Sequence, residues 1–218
     1  MMTMLRSRLC WMCMLTLLVA GAVPLNVAFA QQSYNYPPML LPVRWLCQVP
    51  PGDWNNTKNC GQSCSAMLGG YFNGFTPASS AITNENKWLA TRFKDSRYTA
   101  SANGYYTHFN DGRNSLGVLL KEYYGLNSTV RNGSNITDVL KELNAGRPVI
   151  VGVKISAGKL VSSGGVAHWA LAVGWNARDG KIILNDPGTS NGRQIQYSVA
   201  AFDASWATQG RIYAPVSR

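Results

Sequence analysis

The stretch Gly146-Arg147-Pro148-Val149-Ile150-Val151-Gly152-Val153-Lys154-Ile155 decides the fold class, because the sequence changes there from helical to extended. Before it, apolar residues recur at helical spacing over Val139–Leu143, behind a cap at Ser134 or Asn135. Gly146 ends this helix, and the β-branched residues that follow Pro148 favour a strand. The stretch therefore divides the chain into a helical part and a strand-rich part.

The same two patterns extend outward from this division. Helical patterns come before it, at 61–72, 80–93, 113–124 and 135–145. Strand patterns come after it, at 149–155, 167–175, 181–185, 194–197 and 211–214. Segregated elements favour an α+β architecture over an alternating one. We expect an N-terminal helical part packed on a C-terminal antiparallel β-sheet, with a cleft between them as the natural place for a site.

The first 30 residues have the pattern of a secretory signal peptide. Arg6 and Arg8 give it a positive start, an apolar run spans Leu15–Val23, and Ala28-Phe29-Ala30 supplies a small-residue cleavage site. A membrane anchor is the alternative, but the apolar run is short of the about 20 residues that a bilayer requires. We therefore predict a cleaved leader and export to the periplasm or the medium.

Three segments follow from this interpretation of the chain. We predict a signal peptide over 1–30, an extended Tyr- and Pro-containing arm over 31–43, and one domain over 44–218. Within that domain, residues 49–59 consist of turn-forming residue types and predict a loop.

Charge and motif content exclude several kinds of partner. The formal net charge of the whole chain is +10, and the leader removes the two positive charges of Arg6 and Arg8 but no acidic residue, which leaves +8. The basic residues are scattered, so no nucleic-acid patch is expected. The two histidines, His108 and His168, are distant in sequence, and no glycine-rich phosphate loop follows a strand. We expect neither a metal nor another cofactor.

An odd number of cysteines remains after the leader is removed. Cys47, Cys60 and Cys64 belong to the domain, whereas Cys10 and Cys13 lie in the leader. At least one thiol is therefore left unpaired in an exported monomer. Cys47 and Cys64 are the simplest pair, but sequence alone leaves the existence of that disulfide open.

Cys60 stands where the predicted loop gives way to a helix, in Asn59-Cys60-Gly61-Gln62-Ser63-Cys64-Ser65-Ala66-Met67. The unpaired N–H groups at a helix N-terminus lower a thiol pKa and favour the reactive thiolate. Cys64 lies one turn further on and is expected to face the core. Cys60 is therefore the candidate nucleophile.

A thiol nucleophile needs a base, and the base needs an orienting group. His168 lies at the entry of a predicted strand, and Asp186 ends the next one, in Asn185-Asp186-Pro187-Gly188. Two adjacent antiparallel strands would place these two side chains next to each other. His108 lies in an aromatic loop without a visible orienting partner, so a structural or surface role is expected for it.

Gln48 is the fourth candidate, as a side-chain donor to the oxyanion that develops in acyl transfer. The backbone N–H of Cys60 would be the second donor. Gln48 precedes Cys60 by twelve residues, so an ordered loop must bring the two together. A surface role for Gln48 is the alternative.

The motif around Cys60 resembles the Asp-Cys-Gly-x-x-Cys-Leu-Ala-Met signature of bacteriocin-processing (double-glycine) peptidases and the Cys-Gly-Pro motif of their stand-alone, exported relatives. The segments Ala167-His168-Trp169 and Asn185-Asp186-Pro187 are similar to the histidine and aspartate motifs of that family. The resemblance covers about residues 43–215, in the order Gln, Cys, His, Asp.

This resemblance implies a papain-like cysteine peptidase fold, with Cys60 as nucleophile, His168 as base, Asp186 as orienter and Gln48 as oxyanion donor. The spacing from Gln48 to Cys60 is longer than is usual in the family. The chain also has no transporter region or ATPase, so export-coupled processing of leader peptides is not implied. A papain-type alignment would make Cys64 the nucleophile, but its spacing from Gly61 and the residue after it depart from that pattern.

The sequence thus predicts an exported cysteine hydrolase that cleaves peptide or amide bonds through a thioester. Its expected partners are peptide or protein substrates, with cell-wall peptides as one class, and neither nucleic acid nor a membrane after leader cleavage. Two alternatives remain open. One is a non-catalytic peptide- or wall-binding protein on the same fold, and the other is an acyl or amide transferase that uses the same three residues.

Overall fold

The computed structural model describes residues 34–94, 101–109 and 114–218. The predicted signal peptide over 1–30 and the first residues of the predicted arm lie outside this part of the chain. In the ranges just given, no helix combines the length and the apolar character needed to cross a membrane.

The described chain forms helices on both faces of one antiparallel sheet. The helices are α1 (Cys60–Asn73), α2 (Ser79–Phe93), α3 (Ser115–Val118), α4 (Ile136–Asn144) and α5 (Val199–Ala207). The strands are β1 (Met39–Leu40), β2 (Asn127–Ser128), β3 (Val149–Ser156), β4 (Lys159–Leu160), β5 (Val166–Asn176), β6 (Lys181–Asn185), β7 (Ile195–Ser198) and β8 (Tyr213–Ser217). The sheet has the order β2-β8-β3-β5-β6-β7, with β1 paired to β5 and β4 paired to β3.

Alternation along β3 shows how the two faces of the sheet are covered. Ile150 packs in a cluster with the apolar side chains of α1, whereas Val149, Val151 and Val153 pack in a second cluster with α4 and α5. Successive side chains of a strand point to opposite faces, so a strand buried on both sides is apolar throughout. This explains why Val149, Ile150 and Val151 are apolar in succession, although they face opposite sides of the sheet.

The change from helix to strand occurs where the sequence predicts it. Asn135 caps α4 by accepting a hydrogen bond from the backbone N–H of Asp138, whose carboxylate accepts from the Asn135 N–H in return. The loop predicted over 49–59 contains neither helix nor strand. The predicted α+β class is confirmed, and most predicted elements agree with the observed ones to within three residues.

The helical pattern predicted over 113–124 is confirmed for the described residues 115–124, but the helix is not regular throughout. α3 gives way after Val118 to a π-helical turn, Leu119–Tyr123. This wider turn allows two consecutive aromatic rings to contact different partners: Tyr123 packs edge-on against Trp88, and the hydroxyl of Tyr124 donates to Glu85. Packing by these rings overrides the regular helical repeat.

α5 is absent from the predicted elements. Its signals are present in the sequence, because Ser198 accepts a hydrogen bond from the backbone N–H of Ala201 as an N-cap, and Phe202 and Trp206 lie four residues apart. Both aromatic side chains are fully buried beneath the sheet. The short helix between two strands was therefore detectable from its cap and its single apolar face.

Candidate active site

Cys60 is the first residue of α1 and lines a cleft of about 1260 Å³. Its position at the helix N-terminus places it among backbone N–H groups that have no partner within the helix. Gly61 is required next to it, because a Cβ atom there would lie 1.8 Å from the Oγ1 atom of Thr107. The nucleophile candidate therefore sits on a tightly packed helix end that opens onto the cleft.

His168 and Asp186 are brought together by adjacent antiparallel strands, as the sequence predicts. His168 lies in β5 opposite Val153 of β3, and Asp186 directly follows β6. The Nε2 atom of His168 is 2.7 Å from Oδ1 of Asp186, and both side chains are buried. Since Nε2 contacts the carboxylate, Nδ1 is the ring nitrogen left to face the Cys60 thiol.

Two further hydrogen bonds fix Asp186, one to its carboxylate and one to its backbone carbonyl. The N–H of Gly188 donates to Oδ1 over 2.7 Å, and the indole N–H of Trp45 donates to the carbonyl oxygen of Asp186 over 2.8 Å. A Cβ atom on Gly188 would lie 2.8 Å from Cε1 of His168. The Asp-Pro-Gly turn therefore does more than reverse the chain, because its glycine makes room for the imidazole.

The charges of these three residues reinforce one another. Burial raises the pKa of the Cys60 thiol, but the hydrogen bond and charge of His168 and the N–H groups of Trp169 and Gly61 outweigh it and lower the pKa. Burial lowers the pKa of His168, yet the charge of Asp186 and its hydrogen bond raise it to about 10. Burial also raises the pKa of Asp186, but His168 and the Gly188 N–H hold it below its usual value. Each shift favours the charged form of its group, so the three shifts together favour a thiolate beside an imidazolium.

The other described thiols lack this environment. Burial raises the pKa of Cys47 and raises that of Cys64 well above its usual value. Cys64 is fully buried in the core, as predicted, and Cys47, Cys60 and Cys64 are all free. The Cys47–Cys64 disulfide that the sequence left open is therefore not formed. Cys60 is the described thiol whose surroundings favour the thiolate.

Gln48 lines the same cleft as Cys60 despite the twelve residues between them. Its backbone N–H donates to the carbonyl oxygen of Pro187 over 3.1 Å, and its own carbonyl accepts from the side-chain amide of Asn59 over 3.4 Å. Asn59 directly precedes the nucleophile candidate, so the long loop folds back and places Gln48 beside the start of α1. The side-chain oxygen of Gln48 is buried without a hydrogen-bond partner among the described residues.

A buried amide network that the sequence reasoning missed holds this loop in place. Asn59 donates to the carbonyls of Pro51 and Ala102 as well, and its Oδ1 accepts from the side chain of Asn86. Gln62 donates to Asn86 in turn. A buried polar group without a hydrogen-bond partner destabilises the fold, so these amides stabilise the one loop conformation in which they are paired. The signal available in the sequence was a run of amide residues flanking a cysteine, which is weak on its own.

The cleft runs between loops of the helical part and strand ends of the sheet. Its remaining lining comes from the segments 54–58 and 101–108 on one side, and 155–158, 165–167 and 188–190 on the other. His108 is one of these lining residues and is exposed, without contact to Cys60 or Asp186 among the described interactions. The predicted surface role for His108 therefore agrees with its position.

A family model and a solved structure both relate this chain to C39-like peptidases. The model of the Peptidase_C39-like family matches residues 46–214. The crystal structure of a proposed C39-like peptidase from Bacillus anthracis superimposes with a TM-score of 0.55 at 18% sequence identity, and the match covers 84% of this chain and 98% of that one. At this identity the likeness supports the fold alone, and it confirms the predicted papain-like α+β fold. No curated protein matches the sequence.

Proposed function

Because the chain belongs to the Peptidase_C39-like family, we propose that it is a cysteine hydrolase that cleaves peptide or amide bonds, with Cys60 as its nucleophile. From its leader pattern we propose that it is exported. In this proposal His168 is the base, Asp186 orients it, and Gln48 with the Cys60 N–H stabilises the oxyanion. The observation that carries the proposal is the 2.7 Å contact between His168 and Asp186 beside a thiol whose pKa is lowered by the same imidazole.

The arrangement supports acyl transfer in two steps. The thiolate of Cys60 attacks the carbonyl carbon, and the negative charge that develops on the carbonyl oxygen is stabilised by N–H donors from Gln48 and the backbone. The carbon–nitrogen bond then breaks, and the imidazolium of His168 gives its proton to the departing amine. The product is a thioester on Cys60 and a free amine.

Water completes the cycle by attacking the thioester. The neutral imidazole of His168 takes the proton from that water, the carbon–sulfur bond breaks, and the acid leaves with one oxygen from water. The thiolate and the imidazolium are then restored. Throughout both steps Asp186 keeps its charge and holds the ring in one orientation.

Digestion of denatured casein in ¹⁸O-labelled water tests this function. We expect new peptide termini by mass spectrometry, with one ¹⁸O atom in each new carboxyl group, from wild type and from Cys47→Ala but not from Cys60→Ala. Transfer to an added amine without ¹⁸O incorporation would identify the alternative transferase. Equal binding of peptides by wild type and Cys60→Ala, without any cleavage, would instead identify a binding protein.

Export is proposed from the leader pattern alone and needs its own test. We expect the protein recovered from the periplasm or medium of a bacterial host to have the intact mass of residues 31–218. Retention in the cytoplasm with residues 1–30 still attached would contradict it.

A further inference from the structure

Exposed apolar side chains line the cleft beside Cys60. Six large apolar residues of the described chain are well exposed, and three of them line this cleft: Trp54 at 47%, Tyr106 at 60% and Val166 at 64% exposure. Single exposed apolar side chains are common on protein surfaces, but several around one concave site indicate a binding surface. The cleft is therefore suited to hold part of a substrate on either side of the nucleophile.

A cation is held within this surface. The Nζ atom of Lys58 lies 5.1 Å from the ring centroid of Tyr106, in a cation–π contact. The backbone N–H of Lys58 donates to the carbonyl of Asn103 over 2.8 Å, which fixes the loop that carries it. Lys58 precedes Cys60 by two residues, so a positive charge with restricted freedom lies on the cleft surface close to the nucleophile.

The described lining of the cleft around this lysine contains no aspartate or glutamate. Asp53, five residues before Lys58, is not among the lining residues, and its carboxylate accepts from the backbone N–H groups of Asn55 and Asn56 over 2.9 and 3.2 Å. Without the predicted leader the chain carries a formal net charge of +8, which adds long-range attraction for anions.

We propose that the cleft selects acidic peptides, and that Lys58 is the specificity-determining residue that binds a substrate carboxylate near the scissile bond. Trp54 and Tyr106 cover the apolar stem of the acidic residue and its neighbours. The proposal rests on the proposed function for the position of the scissile bond, but the preference for a carboxylate is a property of binding and can be measured without cleavage.

Cleavage of matched peptides tests the selectivity. The substrates would be octapeptides that span a casein cleavage site. Each carries one acidic or amide residue, and the position of that residue is varied over the three residues on each side of the scissile bond. At every position a Glu peptide is compared with its Gln counterpart. At 50 mM salt we expect kcat/KM to favour Glu over Gln by about five- to tenfold at one position. Lys58→Gln should abolish that preference, whereas Lys87→Gln, which removes an exposed cation of α2 outside the cleft, should keep it.

Binding to the Cys60→Ala variant separates this inference from the proposed function. Two rhodamine-labelled octapeptide pools, identical except that Glu in one is Gln in the other, would be titrated by fluorescence anisotropy. Tighter binding of the Glu pool that disappears in Cys60→Ala/Lys58→Gln supports the inference even if no peptide is cleaved. Equal binding of both pools, or a Glu preference that survives Lys58→Gln, overturns it.

Discussion

The Nε2 atom of His168 lies 2.7 Å from Oδ1 of Asp186, although eighteen residues separate the two in sequence. The contact arises because β5 and β6 are antiparallel neighbours and Asp186 extends one residue beyond β6. It fixes the imidazole from the side opposite to Cys60. Removal of the carboxylate is therefore expected to change the proton affinity of both partners of the thiol–imidazole pair.

We expect Asp186→Asn to lower kcat/KM by about 10²–10⁴-fold and to change its pH profile. In wild type the imidazolium persists until the pKa of His168, about 10, so the alkaline limb of the profile should lie near that pH. Without the carboxylate the pKa of His168 falls toward its ordinary value, and the alkaline limb should move to lower pH. An alkaline limb at the same pH in both proteins would contradict the role given to Asp186.

The same pair should affect stability in a defined pH window. The pKa of His168 is raised by folding, so its contribution is fully present below about pH 6.5 and is lost as the pH rises toward about 10. The pKa of Asp186 is lowered by folding, so its contribution is present above about pH 4 and is lost as the pH falls through the folded pKa. The combined contribution of His168 and Asp186 to the free energy of unfolding is therefore largest between about pH 4 and 6.5.

Urea titrations of wild type and Asp186→Asn would measure this contribution. We expect the difference in the free energy of unfolding to be greatest in that window and to shrink on both sides of it. Parallel stability curves from pH 4 to 9 would show that the pair does not couple protonation to folding.

Gln48 should act mainly on the transition state. We expect Gln48→Ala to reduce kcat by about 10²–10³-fold with little change in KM, because an oxyanion donor acts on charge that develops only during the reaction. Gln48→Glu should be at least as severe, since it replaces the donor with a negative charge. Gln196→Ala, on the exposed side of β7, is the matched control. A wild-type kcat in Gln48→Ala would show that Gln48 has only a structural role.

Gly61 should tolerate no side chain while Thr107 is present. A Cβ atom at position 61 would lie 1.8 Å from Oγ1 of Thr107, so we expect Gly61→Ala to destabilise the fold by about 1–3 kcal/mol. Thr107→Ala should recover more than half of that loss in the double variant, as measured by urea denaturation.

Gly69→Ala supplies the control for that rescue. Gly69 lies on the same helix as Gly61, but its Cβ atom would lie 2.4 Å from the ring of Tyr124. Thr107→Ala should leave the cost of Gly69→Ala unchanged. Equal rescue of both glycine variants would mean that Thr107→Ala stabilises the protein in general and does not relieve a specific clash.

The fold class could be predicted because its signals are local. The capped amphipathic helix before Gly146 and the β-branched run after Pro148 each specify their own structure, and their order along the chain specifies the α+β class. The adjacency of His168 and Asp186 could be anticipated for a related reason, since a strand, a turn and a strand of this length form an antiparallel pair. Both inferences use contacts close in sequence.

The rest of the candidate site depends on contacts between distant segments. Asn59 reaches Ala102 and Asn86, and Trp169 donates from its indole to the carbonyl of Thr107. No periodicity marks such pairs, so the amide network and the packing against Gly61 emerge only from the assembled fold. The π-helical turn at Leu119–Tyr123 was missed for the same reason, because its aromatic partners come from other parts of the chain.

Alkylation of the described thiols by iodoacetamide at pH 6, followed by mass mapping, tests the activated Cys60–His168 pair most directly. An ordinary thiol, with a pKa of about 8.5, is almost entirely protonated at this pH and reacts slowly. We expect Cys60 to react at least about tenfold faster than Cys47 and Cys64, and His168→Ala to slow Cys60 to the rate of Cys47. Slow and equal alkylation of all three thiols in wild type, unchanged by His168→Ala, would contradict the assignment of Cys60 as the nucleophile.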